Sequence, residues 1–214
     1  GCGSDETLLF AALSFCKPGD EIIHAEHGFG MYPIIAKIVG AVSKLAKEKD
    51  YQVSVESICE QLTPATKLIY IANPNNPTGT YLSKKEIREL MKIIPKNVIL
   101  VLDCAYAEYV LQENYDSDFS LVNEYENIII TRTFSKAYGL AGIRLGWCYS
   151  SKNVASIISK VKGPFNTNVF AQQIAIEALQ DQQHLKYVVA ENKKNMEWFI
   201  QKLVELGLKF LPSF

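Results

Sequence analysis

The sequence predicts an α/β fold, a mostly parallel β-sheet sandwiched by helices, and three observations carry that expectation. Lys67-Leu68-Ile69-Tyr70-Ile71-Ala72, Val98-Ile99-Leu100-Val101-Leu102 and Ile128-Ile129-Ile130 are short apolar runs without alternation. Such runs suit strands that are covered on both faces. Helical patterns lie between them, as in parallel strands joined by crossover helices. Each run also ends in residues that break regular structure or carry chemistry: Asn73-Pro74, Asp103, and the stretch Thr131 to Lys136. In an open α/β sheet, ligands sit at the carboxyl edge of the strands.

A chain of 214 residues, 48% apolar and 21% charged, can bury a large core. Its net charge of −1, with no basic block, argues against a nucleic-acid partner. No apolar run approaches the ~20 residues of a membrane span, and no signal peptide is read at the start. Five cysteines without C-x-x-C spacing point to reduced thiols and a cytoplasmic location. Three histidines, none at metal-ligand spacing, predict no metal site.

Gly1-Cys2-Gly3-Ser4-Asp5-Glu6 is a glycine-rich turn feeding a helical pattern from Thr7 to Phe15. Glycines let backbone approach a ligand closely, and the unpaired N–H groups of a helix start favour an anion. Ser4 reads either as the helix cap or as a phosphate ligand. Because the chain begins inside this motif, a strand or loop is expected before Gly1, and the chain is expected to be a fragment. Lys17 to Asp20 is a turn, and Glu21 to Ala25 a strand. Phe29 then stands in a glycine-flanked bend before a helix from Pro33 to Val39. It is either a core aromatic or a platform for a flat ring.

After the strand ending at Ala72, two Asn-Pro pairs and Gly79 make a rigid turn that carries Asn76. Ser83 and Glu86 form a capping box for a helix with the stripe Ile87, Leu90, Met91 and Ile94. The next strand delivers Asp103 at its tip, with Tyr106 just beyond. A carboxylate ending an apolar strand is costly unless a cation or hydrogen bonds meet it. A protonated pyridine nitrogen is such a cation; capping of the next segment is the other reading.

Lys136 leaves the strand Ile128 to Ile130 in a loop of hydroxyls and glycines. It is either a solvated surface lysine or an amine held away from bulk water, able to lose its proton and condense with an aldehyde. Eight residues on, Arg144 offers a planar fork for a phosphate, and Thr133 and Ser135 add hydroxyl donors. An aldehyde and a phosphate on one small molecule describe pyridoxal 5'-phosphate. A strand from Leu145 to Tyr149 follows, then a helix near Val154 to Val161 and a turn from Gly163 to Asn168. Helix is expected from Val169 to about Leu206, with Gln180 to Leu203 as one connecting helix or two joined ones. Leu208 to Phe214 reads as the start of a strand.

Six stretches together resemble one family: Gly-x-Gly-Ser-Asp-Glu at the start, Phe29 to Tyr32, Asn73 to Gly79, Asp103-x-Ala-Tyr106, Arg132 to Arg144, and Pro164 to Asn168. They span nearly the whole chain. The chain resembles the fold-type I pyridoxal-phosphate-dependent aminotransferases, and within them the histidinol-phosphate aminotransferase branch. The resemblance implies that residues 1–180 are the large cofactor-binding domain, and that 181–214 are a connecting helix and the start of a small domain. It implies pyridoxal 5'-phosphate as cofactor, joined covalently to Lys136, which also moves the proton at the substrate's Cα. Asp103 would keep the ring nitrogen protonated. Tyr106 and Asn76 would bond the ring's 3'-oxygen, and Phe29 would stack on the ring. Ser4, Asp5, Thr133, Ser135 and Arg144 would hold the phosphate.

The implied substrates are a small-molecule amino donor, L-histidinol phosphate first, and a 2-oxo acid, 2-oxoglutarate. Aromatic amino acids and decarboxylation of threonine phosphate are the neighbouring activities. A non-catalytic regulatory domain that binds the cofactor is the alternative of another class. The family also implies a homodimer, with Gly163 to Asn168 as the segment that reaches across. Cys2 stands where this branch often has Asn, Cys104 where it often has Glu, and Phe29 where it often has Tyr.

Overall fold

The computed structural model describes residues 1–115, 119–211 and 213. Its strands are β1 (Glu21–Ala25), β2 (Val42–Ala46), the short pair β3 (Glu48–Lys49) and β4 (Gln52–Val53), β5 (Thr66–Ala72), β6 (Ile99–Asp103), β7 (Ile128–Thr133) and β8 (Gly146–Ser150). The main sheet has six strands in the order β2-β1-β5-β6-β7-β8. All neighbours run parallel except β7 and β8. The helices are α1 (Ser4–Phe15), α2 (Met31–Ile38), α3 (Val55–Cys59), α4 (Lys84–Ile93), α5 (Ser120–Glu124), α6 (Lys152–Ser159), α7 (Val169–Gln180) and α8 (Gln182–Glu205).

The apolar strands split their side chains between two cores, as the two-residue period of a strand requires. Ile69, Ile71, Leu100, Leu102, Ile128 and Ile130 join one cluster with α3, α4 and α5. Leu68, Tyr70, Ile99, Val101 and Ile129 join the other with α1, α2 and α6. Each fully buried Ile or Leu contributes about 1.5–3 kcal/mol, so a run apolar on both faces is held in the middle of a sandwich. Helix α4 starts on the expected capping box, with the Ser83 hydroxyl accepting from Glu86 N–H and the Glu86 carboxylate accepting from Ser83 N–H. Its Ile87, Leu90 and Met91 are buried, as is Ile94 just beyond.

Several boundaries differ from the sequence reading. Helix α1 begins at Ser4, and its cap is Gly3, whose φ of 83° and lack of side-chain bond rule out Ser4 as the cap. The helical stretch from Val169 breaks once, at Asp181 (φ −82°, ψ 66°), which ends α7 and caps α8 by accepting from His184 N–H, so the connecting segment is the one helix of the two readings offered. Leu208 to Leu211 form no strand, since no neighbouring strand among the described residues pairs with them; Pro212 and Phe214 lie outside the described residues. The edge strand β2, the β3–β4 pair and α3 were not anticipated.

Strand register brings the chemistry together. Ala72 pairs with Asp103, and Asp103 with Thr131, so the carboxyl ends of β5, β6 and β7 finish level with one another. The loops that leave this edge carry Asn76, Tyr106 and Lys136.

Candidate active site

The ten residues singled out above (Ser4, Asp5, Phe29, Asn76, Asp103, Tyr106, Thr133, Ser135, Lys136 and Arg144) all line one cavity of about 180 Å³ at that edge. Asp103 forms its floor and is only 4% exposed. Its Oδ1 accepts from Thr131 Oγ1 at 2.8 Å, and its Oδ2 from the Tyr32 hydroxyl at 3.0 Å. Burial pushes the carboxyl above its ordinary value, and these two hydrogen bonds oppose the rise. No ion pair involves Asp103 among the described residues. A buried carboxylate with two neutral donors and no cation fits a positively charged ring nitrogen placed above it.

Tyr32 is itself locked. It is fully buried and stacks on Tyr70 with ring centroids 4.8 Å apart and planes 4° apart. The Tyr70 hydroxyl donates to the carbonyl of Leu8 in α1 at 2.7 Å. Phe29 meets Tyr32 edge-on at 5.7 Å, half-buried at the cavity wall.

The opposite end of the cavity is a cradle for an anion. Helix α1 opens there, and Gly3 and Gly146 let its first turn press against β8. A Cβ on Gly146 would lie 2.6 Å from the Gly3 carbonyl carbon and would also strike Ser4 N, while a Cβ on Gly3 would strike Arg144 Nη2. The N–H groups of the first helical turn have no partner within the helix and carry the positive end of its dipole. Arg144 reaches the same place with φ 56°, a left-handed conformation unusual for an arginine. Its Nη1 donates to Ala141 O at 3.0 Å and to Ser135 Oγ at 3.4 Å, and its Nη2 to Asp5 Oδ2 at 3.4 Å. The Asp5 carboxylate thus braces Arg144, so Asp5 can serve an anion through its backbone N–H. Thr133 Oγ1 accepts from Ser135 N–H at 3.1 Å.

The third side belongs to Lys136, Tyr106 and Asn76. Lys136 Nζ lies 5.0 Å from the centroid of the Tyr106 ring. The Asn76 amide donates to the Tyr106 hydroxyl at 3.5 Å. Around Asn76, the turn is pinned by Asn75 Nδ2 donating to His27 O at 3.0 Å and Thr78 Oγ1 at 2.9 Å. The peptide bonds before Pro74 and Pro77 are cis. Lys136 departs from one expectation: it is exposed rather than held away from water. The reason is positional, since it stands three residues past the end of β7, at the mouth of the cavity.

Residues 1–213 match the family described as aminotransferase class I and II. The chain belongs to that family.

Among relatives of this aminotransferase chain, the histidinol-phosphate aminotransferase of Roseobacter denitrificans is 44% identical over 213 residues, covering 100% of this chain and 59% of that protein. The one from Rhodopseudomonas palustris is 41% identical, with 100% and 58% covered. The crystal structure of histidinol-phosphate aminotransferase from Sinorhizobium meliloti in complex with pyridoxal-5'-phosphate matches with a TM-score of 0.94 at 28% identity. That match covers 100% of this chain and 58% of the other. The chain therefore spans about 59% of the length of the curated relatives it matches.

Two supports of the candidate site were missed by the sequence reading, Tyr32 and Thr131. Tyr32 was part of a quoted stretch, but its bond to Asp103 joins positions 71 residues apart. Thr131 had a local signal: it is the first hydroxyl after an all-isoleucine run, where an aliphatic residue would continue the core.

Proposed function

We propose that this chain is the cofactor-binding domain of a pyridoxal-phosphate-dependent transaminase that takes L-histidinol phosphate as amino donor and 2-oxoglutarate as acceptor. The observation that carries the reading is the convergence on one cavity of Asp103 from the end of β6, Lys136 and Arg144 from the β7–β8 connection, and Ser4 from the start of α1. The donor set fits the cofactor's three chemical features: Asp103 a pyridinium, Lys136 an aldehyde, and Arg144 with the α1 start a phosphate. The choice of amino donor rests on the histidinol-phosphate aminotransferases that match the chain.

When bound, pyridoxal 5'-phosphate supplies an aldehyde for amines and a cationic ring that draws electron density from the substrate's Cα. The protein's residues do the rest. Asp103, fixed by Thr131 and Tyr32, would keep the ring nitrogen protonated. Arg144, Ser135, Thr133 and the first N–H groups of α1 would hold the phosphate through charge-assisted bonds. Asn76 and Tyr106, in contact with each other, would hold the ring's 3'-oxygen, and Phe29 in the cavity wall would pack on the ring. Lys136, at the mouth of the cavity, would be the amine that meets the aldehyde and the base that moves the proton at the substrate's Cα.

Residues 1–180 form the large domain in this reading, and 181–214 lead into a second one. A homodimer follows from the same reading and is supported by an apolar surface at the Gly163–Asn168 turn and the start of α7. There Phe165 is 93% and Phe170 75% exposed. A cytoplasmic location is favoured by five unpaired cysteines.

The test is a comparison of amino donors on the full-length protein carrying this domain. L-histidinol phosphate should convert the cofactor to its amine form in a single turnover faster than phenylalanine or threonine phosphate does. A preference for phenylalanine, or decarboxylation of threonine phosphate, moves the assignment to the neighbouring activity. Cofactor binding with no turnover of any donor contradicts the enzymatic reading.

A further inference from the structure

Behind the cavity lies an ion pair that the proposed chemistry leaves without a task. Arg132 is the second-last residue of β7, four positions before Lys136, and its side chain is 10% exposed. Because strand side chains alternate, Thr131 and Thr133 turn to the face where Thr131 meets Asp103, and Arg132 turns to the other. There its Nη1 donates to Glu108 Oε1 at 3.0 Å, and its guanidinium lies 5.4 Å from the centroid of the Phe119 ring. Glu108 is 13% exposed and sits in the short 3₁₀ turn Ala107–Tyr109, directly after Tyr106. Burial pushes its carboxyl above the ordinary range, and Arg132 pulls it back.

Removing two charges from water is costly, and apolar residues fill such a space as well or better. A buried pair of this kind is therefore weak evidence for stability, and its location is the more informative feature. One partner is fixed to the strand that delivers Lys136, the other to the turn that delivers Tyr106. Tyr106 and Lys136 face each other across the mouth at 5.0 Å. We propose that Glu108 and Arg132 are positioning residues, whose pairing fixes the Tyr106 turn against the β7 exit and so sets the approach of Lys136 to an aldehyde beside Tyr106. This rests on the cofactor reading above.

Two ligands separate positioning from general structure. Pyridoxal 5'-phosphate reports covalent capture by Lys136 through its visible absorption change. Pyridoxine 5'-phosphate, which has an alcohol in place of the aldehyde, reports fit to the cradle and floor alone. Glu108→Gln should slow covalent capture about tenfold, with pyridoxine 5'-phosphate affinity within about twofold of the parent. In a Tyr106→Phe background, where the hydroxyl that meets Asn76 is gone, Glu108→Gln should add less than half of that slowing on a logarithmic scale. If Glu108→Gln does not fold by circular dichroism, Arg132→Lys, which keeps the charge and loses the fork, takes its place with the same expectations. Capture at the parent rate, or equal loss of both ligands, overturns the proposal. Failure of the parent protein to capture pyridoxal 5'-phosphate at all counts instead against the cofactor reading.

Discussion

The floor of the cavity and its rim are built differently. At the floor, Asp103 is buried and both carboxylate oxygens are bonded, Thr131 holding one and Tyr32 the other. At the rim, Lys136 is exposed, and Arg144 is braced by Asp5 in an ion pair whose side chains are 43% and 45% exposed. The floor lies within the sheet ladder, where neighbouring strands fix every position. The rim lies past the strand ends, where geometry depends on loops and on whatever covers them. Changes at the packed side should therefore register as lost stability, and changes at the rim as lost binding.

The sharpest way to break that contrast is at the packed junction of α1 with β8. Gly146→Ala pushes a methyl group into the backbone of Gly3 and Ser4, and backbone cannot yield as a side-chain tip can. A loss of about 3 kcal/mol or more in urea unfolding is expected. Unchanged stability would mean that α1 is free to lift from the sheet. Next is Tyr32→Phe, which leaves Asp103 Oδ2 without its buried donor. It should cost about 1–3 kcal/mol by the same measurement.

Arg144→Gly should move the two readouts in opposite directions. Glycine relieves the left-handed backbone at φ 56°, so stability should rise by about 1 kcal/mol. The exposed pair with Asp5 offsets this by well under that amount. Affinity for pyridoxine 5'-phosphate should fall at least about tenfold with loss of the charged donor. Lower stability together with unchanged affinity would reverse the roles given to rim and floor.

The smallest effect concerns pH. A folded-state carboxyl raised above the ordinary 3.8 holds its proton in a range where the unfolded chain has lost it. Asp103 therefore contributes stability that is fully present below 3.8 and is lost as pH rises through its higher folded value. Asp103→Asn removes that slope. In thermal melts without cofactor, the variant should lose less than the parent between pH 4 and 7. Parallel profiles would mean that Thr131 and Tyr32 already compensate the burial.

How much of this was legible in the sequence follows the same division. Strands β5, β6 and β7 were readable because Ile and Val runs without alternation fit only a sheet covered on both faces, and their ends located the site. Strand β2, Val42-Ser43-Lys44-Leu45-Ala46, was not, because an edge strand with four of its five residues at least partly exposed has neither alternation nor an apolar run. The site residues announced themselves by type and by place at a strand end. Their supports did not: Tyr32 and Glu108 act on partners 71 and 24 residues away, and no local spacing encodes such pairs. The exposure of Lys136 was left open because a lysine at a strand's exit can point into a closed site or an open one, and the sequence does not distinguish the two.

The central claim is that Lys136, among the lysines of this chain, is the one that captures the cofactor. The direct measurement is borohydride trapping after incubation with pyridoxal 5'-phosphate, followed by peptide mass spectrometry. The account predicts one modified peptide, the one containing Lys136, and no modification there in Lys136→Ala. Label spread over surface lysines, with the peptide around Lys136 no richer than the rest, would contradict it.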